Sequence, residues 1–464
     1  MKQPIALVLI VTVLVGLMAA CAPQAAPSPT PKPEVPTATS PPEPKPSKPV
    51  RISMWLMGSG SDADKEFLNQ TTAKFKEETG IEVSYQFVAW GDGFKKISTA
   101  IAAGEGPDVT QVGTTWVANF QATGAFVDLT DDVGKTLPSA DAFTPGAWAT
   151  SGYGGRVYAI PWFSDIRAQI YRSDLWAEAG YPNGPQTWDE VKEGAKKIKA
   201  AHPELESVIG LRGQGFGHFV GSFIWQNCGD FISEDGTKAT WNAPQNVEAT
   251  QWWTNLMVED GTLSPNNGEW SNDDILARFW EGKIALIYMG PWFTNVATEA
   301  QIEKWKDKIA VGPQPRGKNG CRAGFVGGSD LMIFGYSKNK EAAKQWIAFL
   351  MRPEIQELNA KLRKYGPAVK AAYDLPELKK GWWPGFFAAA AYGRHFPIHP
   401  AWGDMEPLMP KLKSDIYAAV VDGTYTDTTV QELLDAANAE AQEKLDAAGG
   451  APEGYNAKWP QPSQ

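Results

Sequence analysis

The stretch from residue 51 to residue 88 constrains the fold more than any other. "RISMWLM" at 51–57 alternates apolar and polar residues and reads as a strand, which then meets "GSGSD". A helical pattern follows, with Phe67, Thr71 and Phe75 on one face and Gly80 as its stop. "IEVSYQFV" is then a second strand. Strand, helix and strand in this short span imply a βαβ unit, hence a parallel sheet covered by helices. "GEGPDVTQVG" continues the pattern: Gly-Pro breaks the preceding helix and Asp108 opens a short buried strand. Later helices carry Ala249, Trp252, Trp253, Leu256 and Met257, and then Ala342, Ala343, Trp346, Ile347 and Leu350, at helical period. "TVQELLDAANAEAQEKLDAAG" is a final amphipathic helix stopped at Gly449 and Gly450. The class is α/β.

A chain of 464 residues with 43% apolar content can bury a large core divided between two or more domains. Its twenty Trp exceed what such a core needs and suggest interaction surfaces built from rings. The net charge of -10 argues against nucleic acid, whose phosphates need a basic face. A ligand with apolar faces and hydrogen-bonding groups is favoured instead.

The N-terminus reads as an export signal. Lys2 precedes an apolar run from Ile5 to Ala20, too short to span a membrane comfortably. Residues 1–20 are thus expected to be a signal peptide. The run ends "LMAAC", which resembles a bacterial lipobox with Cys21 as the lipidated first residue of the mature chain. Residues 21–49 are dense in Pro and nearly free of large apolar side chains, so they are expected to form an extended tether. At ~3.1 Å per residue such a tether reaches up to about 90 Å. For Cys228 and Cys321, a disulfide in an oxidising compartment and two buried thiols stand as equal readings. Four His without a Cys/His cluster argue against a zinc site; no metal-ligating residues are assigned, and bound calcium is left open.

"GKIALIYMGPWF" runs an apolar strand into Gly-Pro and a large aromatic. Gly290 permits a sharp turn, Pro291 ends the ladder, and Trp292 is thrown off the strand end. Trp292 is then either a core cap or a flat apolar surface at the mouth of a cleft.

Several stretches, in order, resemble one family, the extracellular solute-binding proteins of bacterial ABC transporters for sugars (the maltose-binding-protein group). They are "GEGPDVTQVGTTWVANFQATGAFVDL", "GGRVYAIPWFSDIRAQIYRSDLWAEAGYP", "PQTWDEV", "GKIALIYMGPWF" and "FVGGSDLMIFGYSKNKEAAKQWIAFLM". The resemblance implies the type II periplasmic-binding-protein fold, two discontinuous α/β lobes joined by hinge crossovers. It divides the chain into lobe 1 at 50–162 and 331–370 and lobe 2 at 165–328 and 371–464. It implies a monomer that captures a sugar, a di- or oligosaccharide of the maltose or trehalose type, and passes it to a membrane permease. The protein would be extracytoplasmic, lipid-anchored at Cys21, without cofactor and without catalytic activity. No phosphate loop is present. The alternatives are a non-sugar solute (a polyamine, a peptide or glycerol phosphate) or a secreted polysaccharide-degrading enzyme, which would need two carboxyls at the right separation.

A sugar needs rings for its C–H faces and carboxylates, amides and Arg for its hydroxyl rim. The resemblance makes Trp292 a stacking ring and Asp165 a carboxylate for sugar hydroxyls. Trp162 and Arg167 flank Asp165, and period-two alternation puts Asp165 and Arg167 on one face, where a purely structural ion pair is the lesser, competing reading. "GTTW" offers Thr114, Thr115 and Trp116; "GQGFGHF" offers Phe216 and His218; "VGGSD" offers Ser329 and Asp330 as a cleft floor. "HPAWGDMEP" offers Trp402, and "GSGSD" offers Ser59 and Asp62, with a helix N-cap as an equal reading for Asp62.

Overall fold

The computed structural model describes residues 49–215, 217–451 and 455; the expected signal peptide, Cys21 and most of the expected tether, and also Phe216, lie outside these. Strand β1 (Arg51–Met57) runs parallel to β2 (Glu82–Val88), Arg51 opposite Glu82. The helix Asp62–Thr79 crosses between them and buries Phe67, Leu68, Thr71 and Phe75. Its N-cap is Ser61, not Asp62: the Ser61 hydroxyl accepts from Asp64 N at 3.2 Å, and the Asp64 carboxylate accepts from Ser61 N at 3.0 Å. Asp62 is exposed in the first turn beside Lys65. Gly80 closes the helix in the left-handed region, at φ 72°.

The remaining strands are β3 (Val109–Gly113), β4 (Ile160–Ile166), β5 (Ala168–Arg172), β6 (Ser207–Gly210), β7 (Ile284–Met289), β8 (Ile309–Gly312), β9 (Gly324–Ile333), β10 (Gly366–Pro367) and β11 (Gly393–Arg394). They form two sheets. The first has the order β10-β4-β9-β3-β1-β2, with β11 also on β9; the second has the order β6-β7-β5-β8. The βαβ start is parallel, whereas β9 inserts antiparallel between β3 and β4. Two lobes result, each a sheet with its own helices. Both β4 and β9 run further in the first sheet than the expected borders at 162 and 331. Their ladder continues from Ile160 opposite Leu331 to Ile166 opposite Val326.

The sheets are joined with one residue between them. β4 ends at Ile166 in the first sheet and β5 begins at Ala168 in the second, leaving Arg167 as the joint. The joint is tied down through its backbone: Arg167 N donates to Phe325 O at 2.9 Å, and Arg167 O accepts from Gln314 Nε2 at 3.1 Å. Cys228 and Cys321 form a disulfide that links the end of the helix His218–Gln226 to the segment leading into β9.

Much of the Trp excess fills cores rather than surfaces. Trp162 and Trp346 are fully buried in the first lobe, and Trp176, Trp225, Trp241, Trp253, Trp280 and Trp402 in the second. Among the described residues no helix is long and apolar enough to cross a membrane.

A buried ion pair fastens the first helix to the C-terminal end of another. Arg363 Nε donates to Asp64 Oδ1 at 2.6 Å, with the side chains 4% and 16% exposed, and the guanidinium lies 4.8 Å from the Trp162 ring centroid. Asp64 thus serves the cap and the pair together. Asp64→Ala is expected to cost about 3–5 kcal/mol, because it leaves a buried guanidinium unpaired. Urea unfolding monitored by circular dichroism measures this; a loss under 1 kcal/mol, as for an exposed pair, would contradict it.

Candidate functional site

Three sequence-predicted residues converge where the chain changes sheets. β5 and β7 pair with Ala168 opposite Met289, so the end of β7 lies beside the joint. The turn Pro291–Thr294 that follows delivers Trp292. Arg167 Nε donates to Asp165 Oδ1 at 3.0 Å and Nη2 donates to Oδ2 at 2.6 Å, a two-toothed pair whose side chains are only 10% and 15% exposed. Trp292 Nε1 donates to Asp165 Oδ1 at 3.2 Å, and the Arg167 guanidinium lies 4.9 Å from the Trp292 ring centroid. One carboxylate therefore holds a guanidinium from the joint and an indole from the second lobe.

Gly290 does not make the sharp turn expected of it. Its φ is -91°, which any residue adopts; what it supplies is room. A Cβ at 290 would lie 2.4 Å from Trp292 Nε1 and 2.6 Å from Asp165 Oδ1.

A second cluster spans the lobes. Thr115 Oγ1 and Trp116 Nε1, which follow β3, donate to Glu406 Oε2 at 2.8 and 3.1 Å. The Trp116 ring packs among Trp90, Phe94 and Phe120, so only its N–H edge faces Glu406. Thr114 beside it is buried. Asn119 Nδ2 adds bonds to Pro400 O at 2.9 Å and Asp404 Oδ2 at 3.1 Å. Burial pushes the Glu406 carboxyl up to about 7, with the two donors acting against the rise. His218 lies 3.7 Å from Glu406 and stacks on Phe325 at 4.3 Å. Burial, and then the charges of Arg167, Arg212 and Lys413, hold this imidazole well below its ordinary value. His218 is neutral at neutral pH.

The two clusters meet at a void of about 20 Å³ lined by Arg167, Arg212, His218 and Tyr288, with apolar walls from Leu211 and Met289. Burial, and then Arg167, push Arg212 down to about 9.

Four expected site residues lie inside instead. Trp162 is fully buried because β4 is an interior strand between β9 and β10, and its ring packs on Phe67. Trp402 is stacked on Phe396 at 5.1 Å in the second core. Ser329 accepts from Gln111 Nε2 at 2.7 Å within the first sheet. Asp330, opposite Val112 on β3 and Pro161 on β4, is 1% exposed. Neither of its oxygens has a well-formed hydrogen bond, and the Thr150 hydroxyl nearby donates to Ala147 O at 2.7 Å. Ser59 is an exposed loop residue.

Glu406, Arg212 and Tyr288 escaped the sequence reading. A carboxylate within "AWGDMEPLM" and a lone cation in "GLRGQGFG" were the available signals; Tyr288 inside an apolar strand gave none.

A model of the bacterial extracellular solute-binding protein family matches residues 56–357. The diacetylchitobiose binding protein DasA of Streptomyces coelicolor is 26% identical over 82% of this chain and 87% of its own length. The maltotriose-binding protein of Pyrococcus abyssi is 25% identical over 69% of this chain and 68% of its own. Among solved structures, maltose-bound MalE3 of T. maritima is similar with a TM-score of 0.73 and 27% identity, covering 85% of this chain and 99% of that one.

Two outcomes test the geometry. Gly290→Ala is expected to lose about 1–3 kcal/mol in urea unfolding by overpacking. Adding Trp292→Leu should recover part of that loss; strictly additive losses would mean that residue 290 does not crowd the indole. The second concerns Asp330, whose folded value of about 7 lies above its ordinary 3.8 because of burial, with Thr150 acting against the rise. The folded state then keeps a proton that the unfolded chain releases, so this group's contribution to stability falls as pH rises from about 4 to 7. Asp330→Asn removes that slope, and its melting temperature relative to the parent should climb across this window and level above it. A constant offset from pH 4 to 8 would show that Asp330 does not titrate there.

Proposed function

This chain belongs to the bacterial extracellular solute-binding protein family, and we propose that it captures a di- or oligosaccharide between its two lobes and delivers it to the permease of an ABC importer. The observation that carries this reading is the carboxylate–guanidinium–indole group of Asp165, Arg167 and Trp292 at the one-residue joint. It combines a ring for a sugar's C–H face with charged hydrogen-bonding groups for its hydroxyls. The names of the relatives, a diacetylchitobiose binder and a maltotriose binder, support the same ligand class. Thr115, Trp116 and His218 complete the contacts from the other cluster.

Binding works by closure. A ligand held by one lobe gains contacts from the other, and an open–closed equilibrium shifts by the difference in affinity. The bonds from Thr115 and Trp116 to Glu406, and from Asn119 to Pro400, run between the lobes and favour the closed form. The closed form docks on the permease, and a separate ATPase supplies the energy. The chain is read as an extracytoplasmic monomer, lipid-anchored at Cys21 behind the Pro-rich tether, with no catalytic activity of its own.

Thermal unfolding of residues 49–464 against neutral mono-, di- and oligosaccharides and uronate-containing counterparts tests this. A ligand that binds only the folded state raises the melting temperature by mass action. A clear rise with one sugar class and no sugar breakdown is expected. Trp292→Ala should then weaken that sugar by about 1–3 kcal/mol, the scale of stacking a planar ring system on an aromatic side chain. No rise with any sugar, in protein stripped of co-purified ligand, would turn the reading to polyamines, peptides or glycerol phosphate.

A further inference from the structure

Glu406 is the centre of a contact made by protein on protein between the lobes. It ends the short helix Trp402–Met405 of the second lobe and is 5% exposed. Its Oε2 accepts from Thr115 Oγ1 at 2.8 Å and from Trp116 Nε1 at 3.1 Å, both in the first lobe. Asn119, on the helix Val117–Ala122, donates to Pro400 O and Asp404 Oδ2 beside them. Gly403 lets the two surfaces meet: a Cβ there would lie 2.8 Å from Phe94 Cε2 and 3.2 Å from Asn119 Cβ. Phe94 is held in turn by stacking on Phe120 at 5.0 Å. The contact is polar at its centre and close-packed at its side.

The void next to His218 holds about 20 Å³, room for about one water-sized group, so a sugar ring enters there only when the lobes part. Glu406 therefore works on the opening and closing. The first-lobe side chains that meet it or its helix, Thr115, Trp116, Phe94 and Asn119, carry no charge. From the helix His218–Gln226, His218 Nε2 lies 3.7 Å from Oε1, longer than a hydrogen bond. On its own helix Asp404 is engaged by Asn119. The charges of Arg167, Arg212 and Lys413 act on the His218 imidazole. Both first-lobe donors reach Oε2, so a proton on Oε1 leaves the contact whole.

Resting on the sugar-capture reading above, we propose that Glu406 is a positioning residue for capture, a clasp that closes the lobes through Thr115 and Trp116 from outside the group of Asp165, Arg167 and Trp292. A proton accompanies the closing. With the lobes apart Glu406 meets water and is an ordinary carboxyl of 4.5; in the clasp, burial pushes it up to about 7 against its two donors. The closed form then keeps a proton that the open form releases. Its advantage is complete below the open value and is lost as pH rises through the closed one. His218 acts in the opposite sense, because burial holds it low in the closed form and water restores it on opening. Glu406→Gln separates the two: the amide keeps an acceptor oxygen for Thr115 and Trp116 and does not titrate.

The experiment uses residues 49–464, which contain both lobes. Small-angle X-ray scattering of the unliganded chain reads closure, and calorimetric titration with maltotriose and with diacetylchitobiose reads capture. At about pH 5, Glu406→Ala should enlarge the radius of gyration and weaken the sugar that binds by about tenfold, the weight of two hydrogen bonds. Glu406→Gln should stay compact from about pH 5 to about pH 8, whereas the parent should expand across the same range. The ratio of parent to Glu406→Gln affinity cancels the share of His218 and of every other group. It should fall about tenfold or more between about pH 5 and about pH 7, and level off above that.

A Glu406→Ala chain with the parent's radius and affinity would overturn the clasp. So would weaker binding with an unchanged unliganded radius and a flat affinity ratio, which would place Glu406 on the ligand instead. If neither sugar binds, these two are lost as candidates for capture, and the scattering alone decides on the clasp. If Glu406→Ala fails to fold, Gly403→Leu takes its place, since a side chain at 403 wedges against Phe94 and Asn119 and should expand the unliganded chain. A Gly403→Leu chain as compact as the parent would mean that this helix does not meet the first lobe, and would overturn the proposal.

Discussion

A strand that serves two sheets with one residue between them sets the terms for everything else in this molecule. β4 is locked into the first sheet by its long antiparallel ladder with β9, and β5 lies between β7 and β8 in the second. Residue 167 absorbs the change of direction with its own two dihedrals. Side chains on either side of it necessarily face the gap between the sheets, and period-two alternation aims Asp165 and Arg167 together. The β5–β7 register then decides which residue of the second lobe arrives opposite, and that residue is Trp292.

The gap is costly to build. Asp165, Arg167, Arg212, His218, Glu406 and Lys413 are ionisable groups gathered where water is scarce, and such groups give little net stability. Several answer by losing charge: the Glu406 carboxyl rises to about 7, Lys413 falls to about 7 through burial and Arg212, and His218 stays neutral. Arg167 answers by pairing with Asp165. A fold selected for stability alone would place apolar side chains here, as it does in the Trp-rich cores on either side. Such a polar gap is what the proposed capture of a ligand between the lobes would call for.

The sequence made some of this legible and hid the rest for physical reasons. The opening βαβ unit is written in local periodicity, and so is the shared face of Asp165 and Arg167, because alternation within one strand is a local property. Burial is not local. Trp162 and Trp402 look like platform rings in one dimension, yet β4 is interior to its sheet and Trp402 meets Phe396 and Phe231. The indole character is the same in both settings, so composition could not separate core from cleft. Glu406, Arg212 and Tyr288 come from three distant segments that only the fold brings near Arg167, Thr115 and Trp116. Gly290 was noticed for the right position and the wrong reason, since close approach across the lobes leaves no mark in a single chain.

The link between Cys228 and Cys321 bears on when this chain folds as well as how. The two cysteines are 93 residues apart, and closing a loop of that length removes about 4–5 kcal/mol of unfolded-state freedom in the chain-entropy model. A reducing cytoplasm withholds that contribution, so before export the second lobe lacks part of its stability. Oxidation outside the cytoplasm then makes folding harder to reverse. In the extracytoplasmic location that the family implies, the crosslink acts as a ratchet on folding, set only outside the reducing cytoplasm.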